Sequence, residues 1–262
     1  MINTTKELKV AKQAAKKAGD YLWKEFLKEE KIKYRQKSKY EIVTKYDMEA
    51  EKIILKLIKD NFPDHQFLSE EKGLGKNIKS DYLWIIDPLD GTTNFSIKNS
   101  LFGVSVALAY KGEVILGAIY IPFLGELFWA QKSKGAFLNN KKIHVSRDIK
   151  TEKLFLTYCH NHRPHHAKRA VKIYQYFKMK NYEIRQLGSA VVEFSWVASG
   201  RTDVIMIPGA NSWDVAAGAI LVKEAGGKTT DFKGEEWGIK SKDIVASNGK
   251  IHKSIIDKIK NI

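Results

Sequence analysis

One cysteine, five prolines and no apolar run of membrane-spanning length set the first limits on this chain of 262 residues. A single cysteine excludes an intramolecular disulfide and fits a reducing compartment. We expect Cys159 to be an ordinary free thiol rather than a nucleophile. The first residues also lack the apolar segment of a secretory signal. We therefore expect a soluble, cytoplasmic protein with no membrane partner.

Long basic runs are also missing, although the net charge is +15. Such a charge can indicate nucleic acid or an anionic membrane as the partner. Most of the 45 basic residues are lysines scattered along the chain, and no polybasic arm exists. This pattern favours a solvated, lysine-rich surface that also steers anionic substrates. We do not expect nucleic acid to be the main partner.

The chain has no low-complexity linker and no internal repeat, and 44% of it is hydrophobic. It can therefore bury a large core. We expect one domain over 1–262, with possible subdomains 1–145 and 146–262. Periodicity predicts helices at 3–30, 47–61, 164–178, 189–199, 213–225 and from about 249. It predicts strands at 42–44, 65–69, 82–86, 102–110, 113–120, 126–130, 135–138, 142–145, 154–158, 183–186, 204–206 and 244–247.

The stretch from 87 to 94, Asp-Pro-Leu-Asp-Gly-Thr-Thr-Asn, follows the predicted buried strand and predicts a tight turn that opens a helix. If the strand holds this turn down, Asp87 and Asp90 cannot both reach solvent, and their charges need a cation. Carboxylate oxygens suit Mg²⁺ or Mn²⁺. The N–H groups of Gly91 and Thr92 suit a phosphate. The alternative is a polar turn with two exposed aspartates.

Two further acids occupy similar positions in the pattern. Glu70 follows the strand at 65–69, so it would lie beside Asp87 if the two strands were neighbours; the alternative is a solvated loop. Asp214 begins a helix whose first turn contains only small residues, which permit close backbone approach at a crowded site. An acid there is also a good helix cap, and this simpler interpretation stays open.

Three segments together resemble the signatures of the inositol monophosphatase family of metal-dependent phosphatases. They are Ser-Glu-Glu at 69–71, D-P-x-D-G-T-x-N at 87–94 and W-D-x-A-A-G at 213–218. The resemblance extends from about Lys37 to the C-terminal helix. It implies an α+β or α/β fold, a layered αβαβα sandwich of the sugar-phosphatase type. It also implies a homodimer and a lithium-sensitive enzyme that acts on a small phosphorylated metabolite.

The resemblance also implies two to three Mg²⁺ ions, for which Mn²⁺ could substitute. One ion would be held by Glu70, Asp87 and the carbonyl of Leu89, and a second by Asp87, Asp90 and Asp214. Glu70 would help to hold a third, weaker ion. The implied catalytic residues, which would activate the attacking water, are Glu70, Asp47 and Thr92. The residues implied to meet the substrate are Asp90, Gly91, Thr92, Gly188, Ser189, Ala190 and the residue at position 207.

Position 207 departs from the inositol-specific members, which carry a glutamate seven residues before the aspartate of W-D. Ile207 stands there instead. The segment from His160 to His166 is also unusual, and it is either a structural zinc site or, as we expect, a polar rim or surface loop. The main prediction is an Mg²⁺-dependent phosphomonoesterase of broad specificity.

The alternatives within this class are fructose 1,6-bisphosphatase, histidinol-phosphate phosphatase and 3′-phosphoadenosine 5′-phosphate phosphatase. Outside it, a basic protein that binds RNA and regulates without catalysis would fit the net charge of +15. A member that had lost catalysis would be expected to lose acids as well. Glu70, Asp87, Asp90 and Asp214 are all present.

Overall fold

The computed structural model describes residues 4–28, 30–75, 80–147, 154–161, 163–260 and 262. Within these ranges the helices are α1 (Thr5–Lys28), α2 (Lys45–Asn61), α3 (Thr92–Ser96), α4 (Pro164–Lys178), α5 (Ala190–Ala198), α6 (Ser212–Glu224) and α7 (His252–Ile259), with a 3₁₀ turn at Pro122–Leu124. In the described part of the chain, no helix is both long and apolar enough to cross a membrane.

A small hairpin and a large sheet occupy the first half of the chain. The hairpin consists of β1 (Tyr34–Gln36) and β2 (Ile42–Thr44). The strands of the large sheet are β3 (Gln66–Ser69), β4 (Gly73–Leu74), β5 (Tyr82–Asp90), β6 (Gly103–Tyr110), β7 (Glu113–Ile121), β8 (Glu126–Gln131), β9 (Gly135–Leu138) and β10 (Lys141–Ile143). Their order is β10-β9-β8-β7-β6-β5-β3-β4. Neighbours are antiparallel except β3 and β5, which are parallel.

A five-stranded mixed sheet forms from the second half, in the order β12-β11-β13-β15-β14. Its strands are β11 (Phe155–Tyr158), β12 (Glu183–Arg185), β13 (Val204–Pro208), β14 (Lys228–Thr230) and β15 (Asp243–Ser247). The central pair, β13 and β15, is antiparallel, and β11 pairs in parallel with both β12 and β13.

Alternation along the strands defines the layers, because successive side chains of a strand point to opposite faces. In β5, Trp84 packs with α1 and α2, whereas the next residue, Ile85, packs with α5 and α6. In β13, Ile205 faces α5 and α6, whereas Met206 faces α4 and α7. The layers are therefore α1/α2, the large sheet, α5/α6, the second sheet and α4/α7. This is the αβαβα sandwich that the resemblance implied.

The middle helix layer explains the small residues of α6. A Cβ atom added to Gly117 of β7 would lie 2.8 Å from the Cα of Ala217, so helix and strand are in backbone contact there. One added to Gly218 would lie 2.3 Å from Cγ of Phe194 on α5. Larger side chains at these positions would separate the layers. The expected close approach of this helix is confirmed.

The hydrophobic cluster around α5 and α6 contains residues from both halves of the chain. It joins Ile85 and Phe128 from the first half to Phe194 and Ile220 from the second. The proposed subdomain boundary near residue 145 stays a prediction.

Several element boundaries differ from the sequence prediction. The strand expected to stop at Ile86 continues to Asp90, and its register against β6 shifts between Asp87 and Asp90. The shift accommodates Pro88, which has no N–H to donate to a ladder. Strands β1, β4 and β14 were missed because two or three residues are too few to show alternation. Residues 76–79, to which the sequence prediction assigned neither helix nor strand, lie outside the described residues.

Helix α2 begins at Lys45, two residues before the start at 47 that the sequence predicted. The N-cap is Thr44, and Asp47 is the third residue of the helix. Its Oδ2 accepts hydrogen bonds from the backbone N–H of Thr44 at 2.8 Å and from the Thr44 hydroxyl at 2.5 Å. The two residues thus form a capping box.

A buried histidine ties the last helix to the second sheet. The imidazole of His252 is 2% exposed and lies 2.8 Å from the hydroxyls of both Thr230 on β14 and Ser247 on β15. Burial, with a smaller contribution from Lys228, lowers the pKa of His252 to about 4. The folded protein therefore holds this side chain neutral.

We predict an acid-dependent loss of stability that traces to His252. A pKa lower in the folded state means that the unfolded chain binds the proton first, so stability is complete above about pH 6.5 and falls toward pH 4. From pH 8 to pH 5 the loss should be about 2 kcal/mol. Thermal unfolding at both pH values should show a smaller acid-induced fall in Tm for His252→Gln than for the wild type. Equal falls would contradict the assignment.

Candidate active site

Two parallel strands bring the first acids together. Ser69 of β3 pairs with Ile86 of β5, and the N–H of Glu70 donates to the carbonyl of Ile86 at 3.2 Å. Glu70 and Asp87 therefore follow directly at the same edge, close enough that Glu70 raises the pKa of Asp87. The expectation that these two acids are neighbours is confirmed by this register.

A cleft of about 300 Å³ opens at this edge. Five acids line it: Glu41 and the four predicted metal ligands Glu70, Asp87, Asp90 and Asp214. The other predicted residues on its wall are Leu89, Gly91, Thr92, Gly188, Ala190 and Ile207. A larger cavity of about 470 Å³ lies at the C-terminal half of α6, and none of the predicted site residues lines it. The acids therefore mark the smaller cleft as the candidate active site.

The electrostatics of the cleft follow from burial and from like charges. Burial raises the pKa of Glu70 to about 7 and that of Asp90 to about 6. The pKa values of Asp87 and Asp214 lie well above the ordinary range, first because of burial and then because the other acids are close. Closely spaced carboxylates resist ionisation together. The cleft is thus a concentration of negative charge that a cation would relieve.

Asp90 is held from behind by the start of α5. The Ser189 hydroxyl donates to Asp90 Oδ2, and the N–H of Val191 donates to the same oxygen at 3.1 Å. Ser189 is only 1% exposed. Its hydroxyl was expected to meet the substrate, but in this structure it is committed to Asp90. Gly188 and Ala190, on either side, do line the cleft.

Asp47 and Thr92 form the expected pair. The Thr92 hydroxyl lies 2.9 Å from Asp47 Oδ1 and 3.0 Å from the carbonyl of Leu89. Asp47 is 1% exposed, and burial raises its pKa to about 6 against the opposing hydrogen bonds from Thr44 and Thr92. The helix that Thr92 opens, α3, has only five residues. Its dipole is therefore a minor source of positive potential for a phosphate.

Asp214 serves both of the roles that the sequence left open. It is the third residue of α6, and its Oδ2 accepts from the N–H and the side-chain amide of Asn211, each at 3.1 Å. This is helix capping. Asp214 also lines the cleft. Capping and membership of the site are therefore compatible.

Two residues at or beside the cleft were not singled out from the sequence as site residues. Lys37, in the turn of the β1–β2 hairpin, contacts Glu71 Oε1 at 2.8 Å and Glu70 Oε1 at 3.3 Å. Only the folded hairpin brings this lysine to the acids, so no local pattern could reveal it. Cys159 also lines the cleft. Burial, then the Glu193 carboxyl, raises the pKa of its thiol well above the usual range, which agrees with a non-nucleophilic cysteine.

The histidine-containing segment divides into two parts. His160 and Asn161 line the cleft, as expected for a polar rim. His165 and His166 belong to the first turn of α4, and their rings lie 3.8 Å apart. His162 lies outside the described residues.

Comparison with known proteins decides the family. A model described as the inositol monophosphatase family matches residues 3–262. The chain belongs to the inositol monophosphatase family. It is accordingly a phosphatase, a hydrolase of phosphate monoesters.

Individual relatives agree with this family. A fructose-1,6-bisphosphatase/inositol-1-monophosphatase of Thermotoga maritima is 38% identical over 222 residues, 85% of this chain and 84% of the relative. The Nus factor SuhB of Vibrio cholerae is 36% identical over 255 residues, 97% and 95% of the two chains. The crystal structure of an extragenic suppressor protein suhB from Bartonella henselae has a TM-score of 0.91 at 33% identity, and the match covers 98% of this chain and 99% of the other.

The donor set of this inositol monophosphatase family member fits a hard divalent cation. Neighbouring acids raise the pKa values of Asp87 and Asp214, and oxygen ligands are those that Mg²⁺ prefers. Among the described residues, however, no group of three or more acid, histidine or cysteine side chains is already gathered as metal ligands. The acids instead turn to protein partners, Asp90 to Ser189 and Asp214 to Asn211. Binding a cation would require these side chains to adjust.

We predict that Asp87→Asn stabilises the metal-free protein. The raised pKa means that the native state holds the Asp87 proton more tightly than the unfolded chain, so its ionisation costs stability as pH rises. Asparagine removes the charge and can still accept from the N–H of Leu89, now at 3.0 Å. In EDTA at pH 8 the Tm should rise by a few degrees, since about 1 kcal/mol shifts Tm by 2–4 °C at this size.

The matched control is Asp81→Asn, which changes an acid just before the same strand. The Asp81 side chain is 58% exposed and lies 3.7 Å from Lys111. Its replacement should leave Tm within a degree or so, because exposed ion pairs contribute little. A Tm for Asp87→Asn at or below that of the wild type in EDTA would show that repulsion in the cleft is not a destabilising factor.

Proposed function

We propose that this phosphatase is an Mg²⁺-dependent phosphomonoesterase with broad specificity for small phosphate esters. The observation that carries the proposal is the convergence of Glu70, Asp87, Asp90 and Asp214 on one cleft, where burial raises the pKa of each and the neighbouring acids raise those of Asp87 and Asp214 further. The negative charge of these acids repels an anionic ester unless cations are bound between the acids and the ester. A divalent metal therefore belongs to the proposed activity.

The resemblance to the family supplies the proposed ligand set. Glu70, Asp87 and the Leu89 carbonyl would hold one Mg²⁺, and Asp87, Asp90 and Asp214 a second. Glu70 would contribute to a third, and Mn²⁺ could replace Mg²⁺. When bound, the ions would supply the positive charge that neutralises the ester and favours ionisation of water.

The protein would contribute proton handling through Asp47 and Thr92. The Thr92 hydroxyl donates to Asp47 Oδ1, which leaves a lone pair on its oxygen for an incoming water. A pKa of about 6 places Asp47 close to the working range of a general base. The other oxygen of Asp47 is fixed by Thr44, so the carboxylate cannot turn away. We propose that this pair orients the attacking water and accepts its proton.

The far wall of the cleft suggests weak discrimination among alcohols. We use this term for the part of the cleft lining formed by Ile207, Cys159, His160, Asn161 and Gln186. Ile207 is 3% exposed and its side chain neither donates nor accepts a hydrogen bond. A ring hydroxyl placed against it would lose a partner. This supports hydrolysis of inositol 1-phosphate without strong preference, and Lys37 and Arg163 would favour substrates with a second anionic group.

A second candidate is a non-catalytic regulatory role that uses the basic surface to bind RNA. The net charge of +15 and the relatives named Nus factor SuhB favour it. Retention of all four acids argues against a member without catalysis. A purified protein that hydrolyses none of the phosphate esters tested below would make this the better candidate. The homodimer implied by the resemblance also stays a prediction.

The metal prediction follows from the acids. EDTA should abolish turnover, Mg²⁺ should restore it, and Li⁺ should inhibit. Asp214→Asn should keep the fold, because asparagine can still accept from the N–H of Asn211, now 3.1 Å away. It removes an anionic ligand, so Mg²⁺ affinity by calorimetry should fall at least about 100-fold, since even outer partners of ligands cost 10–100-fold.

Asp257→Asn provides the control, because Asp257 is a half-exposed acid on α7 that pairs with its helix neighbour Lys260 at 3.1 Å. Its Mg²⁺ affinity and turnover should match the wild type. Full turnover in metal-free wild-type protein would contradict the metal-dependent mechanism. Near-normal Mg²⁺ binding by Asp214→Asn would show that Asp214 caps α6 and is not a metal ligand.

The substrate prediction concerns Ile207. We expect kcat/KM values for inositol 1-phosphate, fructose 1,6-bisphosphate, histidinol phosphate and 3′-phosphoadenosine 5′-phosphate to lie within about 100-fold of one another, since a missing hydrogen bond costs about 1–3 kcal/mol. Ile207→Glu should raise the relative kcat/KM for inositol 1-phosphate about tenfold. A wild-type preference of about a thousandfold for that substrate, equal to roughly 4 kcal/mol, would show that Ile207 does not limit recognition.

A further inference from the structure

Both backbone polar groups of Leu187 are hydrogen-bonded to side chains, an arrangement that we call the grip on Leu187. Its N–H donates to Glu193 Oε1 at 2.8 Å, and its carbonyl accepts from the Asn94 side-chain amide at 2.8 Å. Asn94 belongs to the sequence signature that also contains Asp87 and Asp90. Glu193, in contrast, comes from α5 and belongs to none of the three signatures. The gripped peptide comes immediately before the cleft segment 188–190.

Glu193 is an unusual residue to find here, because its side chain is wholly buried. Isolated buried carboxylates are costly, and proteins usually pair them with a cation. Its Oε1 instead accepts from the N–H of Leu187 and, at 3.2 Å, from the thiol of Cys159. Burial raises its pKa to about 8, so the group is mostly protonated at neutral pH. A neutral carboxyl here acts as a hydrogen-bond acceptor rather than as a charge.

The grip has consequences for the cleft. Gly188 follows Leu187 with φ of +79°, a conformation that other residues adopt only with strain, and a Cβ there would lie 3.0 Å from Asn94 Oδ1. Next come the Ser189 hydroxyl, which donates to Asp90, and Ala190 on the cleft wall. Releasing the Leu187 N–H would leave a donor without its partner in this packed region, and the segment would have to move to satisfy it.

We propose that Glu193 is a positioning residue for substrate binding: it fixes the segment 187–190 against the cleft through the Leu187 N–H. It does not touch the reacting atoms. The inference rests on the proposed function in one respect, namely that the segment 188–190 meets the substrate. Its structural part, the grip on Leu187, is independent of turnover.

The test compares two replacements of similar size. Glu193→Gln keeps an acceptor oxygen for Leu187 and imitates the protonated acid, whereas Glu193→Leu has none. For inositol 1-phosphate at saturating Mg²⁺, Glu193→Gln should keep KM within about twofold of the wild type. Glu193→Leu should raise KM about tenfold while kcat changes less than about threefold. Mg²⁺ affinity should stay unchanged in Glu193→Gln. If Glu193→Leu does not fold, Glu193→Met takes its place.

Hydrogen exchange supplies a readout that does not depend on activity. The Leu187 amide should exchange at least about tenfold faster in Glu193→Leu and at the wild-type rate in Glu193→Gln. The matched control is Glu224→Leu, which removes an acid that accepts from the N–H groups of Ser133 and Gly135, each at 2.8 Å, away from the cleft. This control variant should have a lower Tm and faster exchange of the Ser133 and Gly135 amides, and its KM should equal that of the wild type.

Three results would overturn the proposal. An unchanged KM in Glu193→Leu would show that the grip does not matter for binding, and equal losses in both Glu193 variants would mean that charge, not the acceptor, is needed. An unchanged exchange rate of the Leu187 amide in Glu193→Leu would show that Glu193 does not hold Leu187. A wild-type protein without turnover would refute the proposed function and the substrate-binding part of this proposal, while the exchange rates would still decide whether Glu193 holds Leu187.

Discussion

Like charges gathered at one sheet edge are the constraint around which this molecule is built. Glu70 comes from the end of β3, Asp87 and Asp90 from β5, and Asp214 from the start of α6. Burial makes each carboxyl hard to ionise, and proximity makes them harder still to ionise together. Keeping these acids together in the folded state therefore lowers the free energy of unfolding. Such strain is acceptable in a large, layered core and would be severe in a small one.

The same residues cap helices and build the site. Asp47 is part of the capping box of α2, Ser189 is the N-cap of α5, and Asp214 is part of the capping box of α6. Each cap anchors an acid or a neighbour of an acid to a rigid helix, which fixes its side chain more precisely than a loop would. Helix capping and catalytic placement, which compete as explanations in a sequence, are here one arrangement.

Close packing in the middle layer makes this arrangement possible. The backbones of α6 and β7 touch at Ala217 and Gly117, so the N-terminus of α6 lies near the end of β5. Behind the opposite wall, the peptide of Leu187 is held between Asn94 and Glu193. The cleft is thus supported from two sides by contacts within the protein. Errors of position in such supporting contacts are costly to an enzyme, because catalysis depends on geometry.

Much of the molecule was predictable from local pattern. The long helices, the hairpins of the large sheet and the acids at 70, 87, 90 and 214 follow from periodicity and from three short signatures. These features depend on residues close together in the chain, where side-chain alternation and turn chemistry act directly. Boundaries were less predictable. β5 runs through Pro88 because its pairing with β6, a non-local interaction, continues to Asp90.

Tertiary structure alone decided which side chains serve which partner. Nothing local indicates that the Ser189 hydroxyl bonds to Asp90, that Lys37 reaches Glu70, or that Glu193 holds Leu187. The sequence by itself determined the residue types, the layer-forming elements and the family. It left these pairings undetermined because hydrogen bonds between distant segments depend on register and packing, and burial then sets the pKa of each acid only after the layers have closed around it.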